Sequence, residues 1–157
     1  MRTTIIHGFI VVLSLSLLSS SCTSDDDGSQ NNNSGEIQQI ENQAESGTWR
    51  ITSFMDSGQD ETNDFNGYNF TFESNGTITA TNGNNTESGN WSVTGSNSSS
   101  SSSDDIDFNI MFNVPETSEF DDLNDDWDII SHSDNTLRLR DVSGGNGGTD
   151  TLTFERN

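Results

Sequence analysis

Residues 67–82 read GYNFTFESNGTITATN, and this stretch decides the fold. Tyr68, Phe70 and Phe72 alternate with Asn69 and Thr71, and then Ile78 and Ala80 alternate with threonines. Successive side chains of a strand point to opposite faces, so each run predicts a strand with one apolar and one polar face. Ser74-Asn75-Gly76 between them predicts a hairpin turn.

The same period of two extends outward in both directions. Trp91 and Val93 flank Ser92; Ile106, Phe108, Ile110 and Phe112 alternate with Asp107, Asn109, Met111 and Asn113. Leu137 and Leu139 alternate with Arg138 and Arg140, and Leu152 and Phe154 with threonines and Glu155. The pattern predicts eight strands, near 47–55, 67–73, 77–82, 87–94, 105–113, 126–132, 136–142 and 149–155. Asn82-Gly83-Asn84-Asn85, Ser133-Asp134-Asn135 and the GGNGG run at 144–148 join neighbours locally. One short helix is expected at 36–45 and a second after Pro115, at 117–124, with Phe120 and Leu123 on one side. The expected fold is therefore all-β. It is an eight-stranded antiparallel up-and-down barrel with one or two short helices, closed so that no edge is exposed.

The 157-residue chain carries 26 acidic and 5 basic residues, for a net charge of −21. All the basic residues are arginines: Arg2, Arg50, Arg138, Arg140 and Arg156. Such a surface repels phosphate backbones, which excludes nucleic acid as a partner. It also repels anionic headgroups, so a basic patch cannot hold the protein at a membrane.

The N-terminus supplies another way to hold it. An apolar stretch at 5–18 follows Arg2 and precedes Ser19-Ser20-Ser21, the plan of a secretory signal. It is short of the roughly 20 residues a membrane span needs. Cys22, the single cysteine, follows directly. This arrangement resembles that of bacterial lipoproteins, in which the cysteine sulfur takes a diacylglyceryl group and becomes the mature N-terminus. Ser24-Asp25-Asp26-Asp27 resembles the short acidic signal that sends some Gram-negative lipoproteins to the outer face of the outer membrane. The expected organisation is a signal peptide at 1–21, an acidic disordered tether at 22–35 and one barrel domain at 36–157. Localisation at the cell surface, through lipid on Cys22, follows from these resemblances. The protein partner is left open.

Gly47-Thr48-Trp49 opens the first expected strand after a short helix. Gly-x-Trp at that place resembles the lipocalin (calycin-like) signature. The chain as a whole resembles the lipocalin-like domains of bacterial surface lipoproteins, through Gly67-Tyr68-x-Phe70-x-Phe72, Thr79 to Gly83, Gly89-x-Trp91 and Leu152 to Glu155. The resemblance implies that Trp49 closes the barrel floor and that an arginine from near the last strands lies across its ring. Arg140 is the first choice for that arginine and Arg138 the second.

No nucleophile motif, calcium-loop spacing or cofactor signature is found. His132 is expected at the surface, and Asp121, Asp122, Asp125, Asp126 and Asp128 lack the alternation a calcium loop needs. No metal, no cofactor and no enzymatic activity are expected. Two functions remain. In the first, a cup lined by Tyr68, Phe70, Phe72, Trp91, Phe108, Phe112 and Trp127 holds a small apolar or amphipathic ligand. In the second, those rings fill the barrel and the protein is a structural or interaction lipoprotein. The state of the interior discriminates them.

Overall fold

The computed structural model describes residues 33–95, 106–142 and 148–157. Cys22, the acidic run Ser24 to Asp27 and the expected signal peptide at 1–21 lie outside these residues. One helix, α1 (Asn33–Ala44), precedes the strands β1 (Trp49–Asp56), β2 (Gln59–Asp60), β3 (Asn69–Phe72), β4 (Thr77–Thr81) and β5 (Thr86–Gly95). Then follow β6 (Ile106–Phe112), β7 (Asp125–His132), β8 (Thr136–Asp141) and β9 (Asp150–Arg156).

Strand order is β2-β1-β3-β4-β5-β6-β7-β8-β9, with a further β1–β9 ladder. That ladder runs from Trp49↔Arg156 to Met55↔Thr151 and closes the sheet. All pairings are antiparallel. Since β2 is only a two-residue ribbon on β1, the barrel proper has eight strands, β1 and β3 to β9. It is the up-and-down barrel that the alternation predicts.

Apolar alternation drives the closure. Phe70, Phe72, Ile78, Ala80, Phe108, Leu139, Leu152 and Phe154 all lie at 0–1% exposure. Two breaks in the alternation are bulges. In β1 the register shifts between Ile51 and Ser53, which moves the inward parity from Trp49 and Ile51 to Phe54. In β7 a shift between Ile129 and Ser131 leaves Ile130 about half exposed. Where β5 crosses β6, Gly89 is required: a Cβ there would stand 2.2 Å from the Met111 carbonyl oxygen. The Met111 and Phe112 backbone of β6 occupies the space a side chain would need.

The expected second helix is corrected. Within 117–124 only one 3₁₀ turn forms, Asp121–Leu123. Ser118 N donates to Pro115 O, Asp121 N to Ser118 O and Asn124 N to Asp121 O, three-residue turns in succession. Asn124 is then drawn into extended backbone, because its side chain serves Phe112: its Oδ1 accepts from Phe112 N and its Nδ2 donates to Phe112 O. A segment this short has too few internal bonds to nucleate an α-helix against that pull.

Candidate functional site

The barrel interior is the site that the sequence singles out, and rings occupy it. Trp91 stacks on Phe108 at 5.5 Å, and Phe72 meets Trp91, Phe108 and Phe154 edge to face at 5.3, 5.3 and 5.6 Å. Phe70 joins this lower group to an upper one through Phe154 at 5.3 Å. In the upper group Phe54 meets Trp127 at 6.3 Å, and Phe112 meets Phe120 at 5.0 Å. Such edge-to-face geometry adds to the apolar burial of each ring. The candidate lining residues Phe70, Phe72, Trp91, Phe108, Phe112 and Trp127 are thus brought together, all buried, touching one another or their neighbours. Tyr68 is only partly buried and packs on Phe120. The indole nitrogens of the two interior tryptophans are satisfied. Trp127 Nε1 donates to Leu123 O at 3.1 Å, and Trp91 Nε1 to Glu73 O at 3.0 Å.

Both ends of the barrel are covered. At the lower end α1 lays Ile40 and Ala44, one turn apart, against the core at 1% and 2% exposure. Trp49 is 1% exposed, and its Nε1 donates to the Ala44 carbonyl at 2.8 Å. That carbonyl is one of the four that a helix C-terminus leaves without a partner. The arginine across the Trp49 ring is Arg156, 5.0 Å from the ring centroid. Its Nη2 donates to Gln43 O at 2.9 Å, so a cation also meets the negative end of the helix.

This corrects the expected role of Arg140. Arg140 pairs instead with Asp128 at 3.0 Å, half exposed. The reason is parity. Leu137 and Leu139 point inward, so Arg138 and Arg140 point out. Arg156 is directly opposite Trp49 in the closing ladder, and cross-strand neighbours share a face. The signal was present in the sequence, since a closed barrel must set its last strand beside its first. Gly47, with φ of 91°, turns the chain from α1 into β1 and lies 3.6 Å, from an added Cβ, to the Arg156 side chain. His132 is also corrected. It is partly buried against α1, its side chain 17% exposed, with Nδ1 2.7 Å from Gln43 Oε1 and Nε2 3.5 Å from Glu36 Oε1.

At the upper end two connections fold inward. Phe65, on a 3₁₀ turn at Thr62–Phe65, and Phe120 with Leu123, from the β6–β7 connection, are buried over the core. Phe65 was not singled out in the sequence, because its segment 56–66 is otherwise polar and acidic. The rim around them is anionic. Burial raises the carboxyl of Glu61, followed by Asp56, Asp122, Asp64 and Asp150. Burial likewise raises Asp122, followed by Asp56, Asp121, Glu119 and Asp64. Among the described residues no group of three or more His, Cys, Asp or Glu is arranged to hold a metal ion.

Open grooves lie on the outside. One of about 530 Å³ runs along α1, lined by Gln38, Asn42, Gln43, Asp134 and Arg156. Another of about 340 Å³ lies over β5 and β6 at Asn90, Ser92, Asn109 and the exposed Met111.

No protein-family model matches this chain, and no curated protein does. Among solved structures, a DUF4847 family protein from Bacteroides vulgatus ATCC 8482 is similar, with a TM-score of 0.47 and 21% identity. The match covers 75% of this chain and 97% of that one.

Proposed function

We propose that this chain is an exported, lipid-anchored barrel that acts at the cell surface as a solid, non-enzymatic scaffold. Its outer faces, and not an internal cup, meet what it binds. The observation that carries this reading is the continuous set of ring contacts from Trp91–Phe108 to Phe65–Phe120, covered below by α1 and above by the two connections. A cup for a small apolar ligand needs an interior volume of about 300 Å³ or more. The buried rings of Phe70, Phe72, Phe108 and Phe154 stand in contact where such a ligand would sit, which supports the filled-barrel function over the cup.

The anchor rests on the signal plan before Cys22 and the acidic run after it. Two lipid chains at one cysteine give stable attachment without any basic patch, which suits a chain of net charge −21. The expected result is that Cys22→Ala releases protein from the membrane fraction, and that the wild-type N-terminal peptide carries a lipid-sized mass increment. Native mass spectrometry of the detergent-extracted wild type should then show the acylated polypeptide with no further bound small molecule. A stoichiometric co-purifying ligand would return the reading to the cup, and a membrane-bound Cys22→Ala would remove the anchor.

A further inference from the structure

The segment 59–68 closes the barrel where its strand ladder is weakest. β1 and β3 pair at a single position, Trp49↔Phe70. Beyond it, β1 bonds to this segment in place of β3: Met55 and Asp56 pair with Asp60 and Gln59 of β2, Glu61 N donates to Phe54 O at 3.0 Å, and Phe54 N to Thr62 Oγ1 at 2.8 Å. Inward, the segment is fastened by Phe65, edge to face with Phe54 at 5.7 Å and with Phe120 at 5.4 Å. Tyr68 adds a contact with Phe120 at 5.1 Å. The two connections that close the upper end therefore hold each other through rings.

Their outward sides carry one sign of charge. Asp60, Glu61 and Asp64 belong to the first connection, and Glu119, Asp121 and Asp122 to the second. Asp56 from β1 and Asp150 from β9 face them. The ion pairs Arg50–Glu155, His132–Glu36 and Arg140–Asp128 all lie away from this rim. Like charges gathered without a counter-charge oppose the compact arrangement.

We infer that segment 59–68 is a charge-loaded strap. Ring contacts hold it shut against the β6–β7 connection, and mutual repulsion of the rim carboxylates loosens it, so protonation or salt tightens it. The sign agrees with the electrostatics of the individual groups. Glu61 and Asp122 have raised carboxyls in the closed state, so closing takes up protons. The strap gains stability as pH falls from above their raised values to the ordinary carboxylate range. Asp60 works the other way. Its carboxyl is held low by Thr62, through the side-chain and then the backbone hydrogen bond. Its protonation at still lower pH frees Thr62 from the turn. Strap stability therefore peaks in mildly acidic solution. The device concerns the barrel alone and stands whether or not Cys22 anchors it.

Hydrogen exchange read by mass spectrometry on the full chain tests the strap, with rates corrected for intrinsic chemistry and β8 and β9 as internal reference. Protection of 59–68 should rise severalfold as pH falls from neutral to about 5, because closing takes up protons on the raised rim carboxyls. Roughly 1 M salt at neutral pH, where the Debye length is about 3 Å, should raise protection in the same direction. The double variant Glu61→Gln, Asp122→Asn should be protected already at neutral pH and respond little to either change. Equal wild-type protection across pH and salt would overturn the inference. So would a double variant that keeps the full wild-type pH response. If that variant does not fold, the salt series on the wild type decides alone.

Discussion

The guanidinium of Arg156, at the end of the last strand, stands 5.0 Å over the ring of Trp49, at the start of the first. Both side chains also bond to the last carbonyls of α1, Trp49 to Ala44 and Arg156 to Gln43. One contact thus joins the barrel's two closing strands and the helix that covers its floor.

Trp49→Ala should cost about 3–5 kcal/mol, as for other buried large aromatics. Arg156→Ala should cost about 1–2 kcal/mol, from the ring contact and one hydrogen bond. Arg140→Ala, which breaks only an exposed ion pair with Asp128, should change stability by about 0.5 kcal/mol or less. Urea denaturation of the three variants orders them. A double-mutant cycle of Trp49 and Arg156 should show coupling of about 0.5 kcal/mol or more.

Gly89 tests the close approach of β5 and β6. A methyl group there meets the Met111 carbonyl at 2.2 Å, backbone against backbone, where no side chain can swing aside. Gly89→Ala should lower stability by about 1–3 kcal/mol, the cost of forced overpacking. Gly83→Ala is the comparison: nothing lies within 4 Å, although its φ of 87° strains any side chain. It should be the milder of the two by thermal melting.

Asn124 takes the place of a strand partner at the end of β6. With alanine there, both the N–H and the C=O of Phe112 lose their partner in a partly buried site. The expected loss is about 1–3 kcal/mol. Hydrogen exchange at Phe112 should speed up in the variant more than exchange at Trp91, which is held by Gly76.

Asp125 sets a pH dependence at the start of β7. Its carboxyl is pushed up to about 6, first by burial, with Asp126 and Asp141 adding to it, although the Asp126 N–H pulls the other way. A carboxyl raised on folding destabilises the fold while ionised, so stability should increase as pH falls from above about 6 towards 3.8. Asp125→Asn keeps the acceptor for Asp126 N and removes the charge. Its melting temperature should exceed that of the wild type at neutral pH and vary less with pH below it.

The strands themselves were legible because period two is a local property: Tyr68 to Ala80 and Ile106 to Phe112 declare their faces without knowledge of any neighbour. Their number and the short turns between them implied the antiparallel order and favoured a barrel, which covers the edges of an eight-stranded meander. What crossed between distant segments was not legible. The choice of Arg156 over Arg140 depends on the Trp49↔Arg156 register, which exists only once the barrel closes. Phe65 gave no periodic signal within an acidic loop, and its burial follows from the gap left where β1 parts from β3. The 3₁₀ turn at Asp121–Leu123 yields no helix because Asn124 is claimed by Phe112, twelve residues away. Alternation along one strand is written in the sequence itself, whereas which side chain meets which across the barrel is decided by register and closure, and these belong to the whole sheet.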